Sequence, residues 1–115
     1  MTVIASISDK EIHRGVVYAT TMKPIGKAPL VECLRPTRDL AHVVKYQGKS
    51  DRWYDEGYRA LLQSRWPAVR AWLDGLAPDR DETLVCYCRP GAYCHRYLIA
   101  RMLLTHRWDI PLLVR

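Results

Sequence analysis

Apolar residues in this chain occur in short runs with strand-like spacing, separated by longer segments with helical spacing. The short runs predict strands at 2–8, 15–22, 30–34, 83–88 and within 108–115. The segment 83–88 is a near-continuous apolar run, which is typical of a strand buried on both faces of a sheet. Pro111 indicates the start of the last strand or a sheet edge.

Helical spacing predicts helices at 35–46, 52–66, 67–76 and 93–107. Ser50 or Asp51 is expected to cap the second helix, and Pro67 to start the third. The apolar face of the second helix consists of Trp53, Tyr54, Tyr58, Leu61 and Leu62. The succession of strands and helices predicts one α/β domain over 1–115, with three layers around a central, mostly parallel sheet.

Composition and charge leave the predicted fold unchanged and indicate the kind of partner and the location that we expect for the protein. The chain has 115 residues and a formal net charge of +6, which is typical of a protein with an anionic partner such as a nucleotide or a nucleic acid. A merely basic, soluble surface accounts for the charge equally well, because the 18 Lys and Arg residues are spread along the chain. No apolar run approaches the roughly 20 residues needed to cross a bilayer, and the first residues do not resemble a secretory signal. We therefore expect a cytoplasmic protein with reduced thiols and no membrane partner.

Three of the four cysteines lie in CYCRPGAYCHR, residues 86–96. Cys86, Cys88, Cys94 and His95 are candidate zinc ligands, but a strand would hold Cys86 and Cys88 roughly 7 Å apart on one face. Zinc needs its sulfurs much closer together, so we expect no metal and no cofactor, and expect Cys86 to pack as a small buried hydrophobe. A redox pair of Cys88 and Cys94 remains an alternative.

The same stretch predicts a site where a buried strand ends and a helix begins, near Ala92 to Cys94. A helix N-terminus favours anions and lowers the pKa of a thiol, so Cys94 is the candidate nucleophile or acid. His95, on the inward face of the helix, is the candidate general acid or base, and Arg96 the phosphate clamp. The candidate ligand-binding residues are Cys88, Arg89, Gly91 and Arg96. The end of the strand at 15–22 adds Tyr18, Thr20, Thr21 and Lys23, although strand propensity also accounts for those residues.

The segment LVCYCRPGAYCHRYLIARML, residues 84–103, resembles the signature of the domain-of-unknown-function family 488. In that family a strand cysteine and a short Pro-Gly loop precede a Cys-His-Arg triplet that opens a helix. WYDEGYRALL, residues 53–62, resembles the aromatic helix of shorter, phage-type members. The resemblance implies a Rossmann-like domain with its site at Cys94, His95 and Arg96. It implies no reaction, and Cys88 stands where members usually carry a glutamate.

These observations favour a protein that binds, and in the enzyme version processes, a nucleotide or nucleic-acid phosphate at the Cys-His-Arg triplet. The first alternative is a non-catalytic, phage-type accessory protein whose basic face, including Arg35 and Arg38, docks nucleic acid or a protein partner. The second alternative is a zinc-binding protein that uses the cysteines and His95. The sequence alone leaves open whether the protein is an enzyme.

Overall fold

Four parallel strands form the central sheet of the protein, whose computed structural model describes residues 1–40, 50–88 and 94–115. The strands are β1 (Thr2–Ser6), β2 (Val16–Ala19), β3 (Glu82–Cys86) and β4 (Leu112–Val114). Their order across the sheet is β2-β3-β1-β4, and each neighbouring pair is parallel. Every residue of β1 and β3 is buried, which for β3 confirms the prediction of a buried strand within 83–88.

The described residues form the α-helices α1 (Asp51–Ser64), α2 (Trp66–Asp74) and α3 (Arg96–His106). Of the two predicted caps for α1, Ser50 is the one found, because its Oγ accepts a hydrogen bond from the Trp53 N–H at 3.1 Å. Pro67 lies in the first turn of α2, as predicted. Of the helix predicted at 35–46, residues 38–40 are helical, and 41–49 lie outside the described residues.

The three helices pack on one face of the sheet. Side chains from each of them join Ile4 of β1 and Leu84 of β3 in one hydrophobic core. Helix α1 contributes Tyr54, Tyr58 and Leu62, which are spaced four residues apart and therefore share one face. Trp53, predicted on the same face, is 36% exposed and lies at its margin.

The connection between β1 and β2, residues 7–15, runs along the opposite face of the sheet. It contains a 3-10 turn at Lys10–Ile12. The Arg14 N–H donates to Thr83 Oγ1 at 2.7 Å, and Thr83 points away from the helices because neighbouring Leu84 points toward them. The sheet thus has chain packed on both faces, and the predicted α/β Rossmann-like fold is confirmed.

The predicted strand at 30–34 is wrong. Leu30 makes only an isolated bridge with Ala19, and Glu32–Leu34 forms a 3-10 turn. The Arg65 guanidinium donates to the main-chain oxygens of Cys33 and Arg35, at 3.4 and 2.6 Å, and so occupies carbonyls that a neighbouring strand would need. Across 1–40, 50–88 and 94–115, no helix has both the length and the apolar character needed to cross a membrane.

Candidate functional site

The cysteine-rich stretch lies at the edge of the sheet where the parallel strands end. Ser6 and Cys86, the last residues of β1 and β3, are partners in the strand register. From this edge the chain leaving β1 crosses one face of the sheet, whereas the chain leaving β3 leads to α3 on the other. Open α/β folds bind ligands in the crevice outside the carboxyl ends of strands whose connections diverge in this way.

Three sulfur atoms converge at this edge. The Sγ atoms of Cys86, Cys88 and Cys94 all lie within 4.8 Å of one another, and those of Cys86 and Cys94 are 3.4 Å apart. The sequence argument that Cys86 and Cys88 stand far apart on one strand is wrong, because β3 ends at Cys86. The chain bends over residues 87–88 and brings Cys88 back toward the other sulfurs.

His95 is buried and held by the end of β2. Its Nε2 lies 2.7 Å from the main-chain oxygen of Thr20, and because a carbonyl only accepts, Nε2 carries the proton of this bond. Its Nδ1 faces Cys94, at 3.4 Å from Sγ. In a neutral imidazole Nδ1 is then the acceptor, so the single S–H of Cys94 has two alternative acceptors, Nδ1 and Cys86 Sγ, and donates to one of them at a time.

Arg96 is the first residue of α3, and its side chain is 1% exposed. One guanidinium nitrogen donates to Cys86 Sγ at 3.2 Å, Nε donates to the main-chain oxygen of Arg115 at 3.2 Å, and the other nitrogen to the Tyr97 hydroxyl at 3.0 Å. The guanidinium carbon also lies 4.7 Å from the centre of the Tyr97 ring. The buried cation is therefore placed directly against the sulfur cluster.

Cys94 does not have the lowered pKa that its position near a helix start predicts. Helix α3 begins at Arg96, later than the predicted start at Ala92 to Cys94. The hydrogen bond that the Cys94 thiol donates to Cys86, its bond with Cys88 and its burial raise its pKa far above the usual value. The expectation that the helix dipole activates Cys94 as a nucleophile is therefore wrong.

Cys86 is buried as predicted, but it does more than fill space. Its sulfur accepts hydrogen bonds from Cys94 and Arg96. Its pKa also lies above the usual value, because the hydrogen bond with Cys88 and burial outweigh the opposing effects of Cys94 and Arg96. The pKa values of Cys86 and Cys94 are therefore both raised, although a permanent cation lies beside them.

Two tyrosines of α1 border the site. The ring centres of Tyr58 and His95 are 5.2 Å apart, and those of Tyr54 and His95 are 6.3 Å apart. The Tyr58 hydroxyl donates to the Leu34 main-chain oxygen at 2.7 Å, and burial raises the pKa of both tyrosines. Sequence reasoning placed them in the core without connecting them to His95; the signal available was their spacing of four residues on one helix face.

Other predicted site residues have different outcomes. Thr20 reaches the site through its main-chain oxygen and its hydroxyl, which lies 3.2 Å from His95 Nε2 and donates to the Val85 oxygen at 3.1 Å. Cys88 is half-buried and belongs to the sulfur cluster. Arg89 and Gly91 lie in 89–93, outside the described residues, so their ligand-binding roles stay predictions.

Comparison with known proteins bears on this same stretch. Residues 8–107 match the family model DUF488-N3a, described as the active DUF488-N3 subclade. The match covers the sulfur cluster, His95 and Arg96 together with the helices that hold them. No curated protein and no solved structure matches the chain.

Proposed function

The chain belongs to the DUF488 family, and from this premise we propose that it binds a phosphate-bearing anion, a nucleotide or a nucleic acid, at the carboxyl edge of its sheet and acts on it there. The observation that carries the proposal is the convergence of Cys94, His95 and Arg96 at the divergence point between β1 and β3. A ligand in this crevice would meet a cation, an imidazole and a thiol together. The description of the subclade as active supports a catalytic role.

Arg96 supplies the positive charge of this site. Its bond to Cys86 is the contact that a phosphate oxygen would replace, because a phosphate oxygen is a stronger acceptor for a guanidinium than a thiol sulfur. The net charge of +6 would attract an anionic ligand toward the surface before it reaches Arg96. Nucleotide and nucleic acid both present such phosphates.

Cys94 and His95 form the proton-transfer pair of the proposed reaction. The Cys94 thiol lies between Cys86 and His95 Nδ1, and the bond to Thr20 fixes the ring so that Nδ1 stays turned toward the thiol. This arrangement of thiol, imidazole and orienting acceptor suits general acid–base chemistry on a bound substrate. Reduced thiols at the site also favour a cytoplasmic location.

The test compares two arginines of α3. Arg96→Lys keeps the charge but loses the planar donor geometry, whereas Arg101→Lys makes the same change at an exposed position of the same helix. We expect Arg96→Lys to weaken the binding of a nucleoside monophosphate or a short single-stranded oligonucleotide about tenfold, and Arg101→Lys to leave it unchanged. Titration calorimetry measures both, with circular dichroism to confirm folding.

Equal affinities for the two variants would overturn the proposal. If binding instead fell with salt and with removal of the exposed Arg35 and Arg38, while Arg96→Lys had no effect, the basic-face accessory protein would be the better interpretation. Cys94→Ser provides a second discriminating variant, because it should reduce turnover of a bound substrate while leaving its affinity nearly unchanged.

A further inference from the structure

The sulfur cluster has the dimensions of a metal site. Zinc–sulfur bonds of about 2.3 Å place the ligands of a tetrahedral site roughly 3.8 Å apart. The sulfurs of Cys86, Cys88 and Cys94 lie within 4.8 Å of one another, with one pair already at 3.4 Å. Small side-chain adjustments would therefore bring all three into the first coordination sphere of one ion.

Charge also favours a divalent ion at this position. Three thiolates and one divalent cation sum to a single negative charge, and the Arg96 guanidinium 3.2 Å from Cys86 Sγ balances that charge. Buried charges are tolerated when they are paired and hydrogen-bonded, so the bound site would be neutral as a whole. Arg96 would act as an outer-shell donor to a coordinating sulfur.

His95 shows a hydrogen-bond pattern that accompanies metal ligation. A ligating histidine usually donates its other ring N–H to a carbonyl or carboxylate, which fixes the tautomer. His95 Nε2 bonds the Thr20 main-chain oxygen at 2.7 Å, and Nδ1 faces the cluster at 3.4 Å from Cys94 Sγ. Nδ1 is thus the ring nitrogen that faces the three sulfurs and can act as the fourth ligand of a tetrahedral site.

We propose that Cys86, Cys88 and Cys94 bind one thiophilic metal ion, with Zn²⁺ the best match, and that His95 Nδ1 supplies the fourth position. Soft thiolate ligands select such ions, whereas Mg²⁺ requires oxygen. The proposal does not depend on the anionic substrate proposed above. A bound ion would engage Cys94, and so metal binding and the proton-transfer role of Cys94 would compete.

The test measures metal affinity without any nucleotide present. Protein kept reduced with a phosphine and stripped with a chelator is titrated with Zn²⁺ against a chromophoric competitor, with Mg²⁺ as the control ion. We expect the parent protein to bind one equivalent of Zn²⁺ tightly. The Zn²⁺ affinity should fall more than about 100-fold in Cys86→Ser, Cys88→Ser and Cys94→Ser, and about 10-fold to 100-fold in His95→Gln. Cys33→Ser is the matched control, because Cys33 is half-buried on the 3-10 turn at Glu32–Leu34, and it should bind like the parent protein.

A second measurement on the parent protein avoids the risk that a cluster variant fails to fold. Co²⁺ bound by thiolates produces an intense sulfur-to-metal absorption band, and we expect that band to appear with one equivalent and to vanish when Zn²⁺ is added. Absence of the band, or equal Zn²⁺ affinity of Cys94→Ser and Cys33→Ser, would overturn the proposal. Neither outcome would alter nucleotide binding, so failure of the metal proposal is separate from failure of the proposed function.

Discussion

The two ends of the central sheet hold their buried polar groups in different ways. At the carboxyl end, Arg96 donates to the sulfur of Cys86 and its side chain is almost fully buried. At the amino end, Arg80 donates to the Glu82 carboxylate at 2.7 Å and remains half exposed. The amino end therefore contains an ordinary ion pair, whereas the carboxyl end places a cation against a cluster of three thiols.

A cavity of about 280 Å³ extends from Arg80 and Glu82 toward Leu30, which forms a bridge with the last residue of β2. Its lining includes Tyr18, Trp72, Arg80 and Glu82, of which the two charged residues already pair with each other. The lining contains no thiol and no imidazole. The charged side chains of this cavity therefore form an ion pair of their own, whereas the thiols of the sulfur cluster and the His95 imidazole lie at the carboxyl end.

The largest effect that we expect is on the free energy of unfolding, when Arg96 at the carboxyl end is replaced and compared with Arg80 at the amino end. Arg96→Met removes donors to a sulfur, a main-chain oxygen and a hydroxyl in a buried setting, and should lower the free energy of unfolding by about 3 kcal/mol. Arg80→Met breaks a half-exposed ion pair and should cost about 1 kcal/mol. Urea unfolding of both variants measures the difference. Equal losses of unfolding free energy in the two variants would mean that the burial of Arg96 does not increase its contribution to stability.

The sequence predicted those parts of the fold that depend on local pattern. The apolar run at 83–88 indicated a buried strand, and Ser50 was one of two expected caps, because both features depend on nearest neighbours along the chain. The strand at 30–34 failed because Arg65, about thirty residues away in the chain, donates to the carbonyl oxygen of Cys33 within that segment and to the carbonyl oxygen of Arg35 just after it. Local propensity carries no information about such a distant donor.

The sequence predicted the position of the Cys-His-Arg triplet in the fold but not the contacts of its side chains, and its functional role stays a prediction. Cys94, His95 and Arg96 do lie together at a strand-to-helix connection. The raised pKa of Cys94 was missed because it arises mainly from contact with Cys86 and Cys88, which depends on the bend after β3. The spacing of Cys86 and Cys88 along the sequence cannot reveal the sulfur cluster, because the cluster forms only when β3 ends at Cys86 and the chain bends at residues 87–88.

A smaller effect concerns the aromatic support of His95. Tyr58→Phe removes the hydroxyl that donates to the Leu34 oxygen at 2.7 Å but keeps the ring beside His95. We expect a loss of about 1 kcal/mol in the free energy of unfolding, because a buried carbonyl loses its donor. Tyr87→Phe is the matched control, since Tyr87 is 61% exposed and should change stability little. Thermal denaturation of both proteins checks the prediction, which fails if Tyr87→Phe is the more destabilising change.

The smallest effect that we expect is a pH dependence at the amino end, where β4 begins. The hydrogen bonds of Arg107 to both carboxylate oxygens of Asp109, each 3.0 Å long, hold the pKa of that carboxyl below its usual value.

Because the folded pKa of Asp109 is lowered, its contribution to stability is fully present above the ordinary aspartate pKa and is lost as the pH falls through the folded value. Asp109→Asn should therefore flatten the fall in unfolding free energy on acidification, while Asp79→Asn, at an exposed position, should leave the parent profile intact. Urea unfolding over a series from neutral to acid pH measures both profiles. Identical profiles for the two variants would show that Asp109 does not contribute to the pH dependence of stability. A flattened profile for Asp109→Asn would show that the pair of Arg107 and Asp109 stabilises the fold through its charge, in contrast to the charge that Arg96 places beside the sulfur cluster.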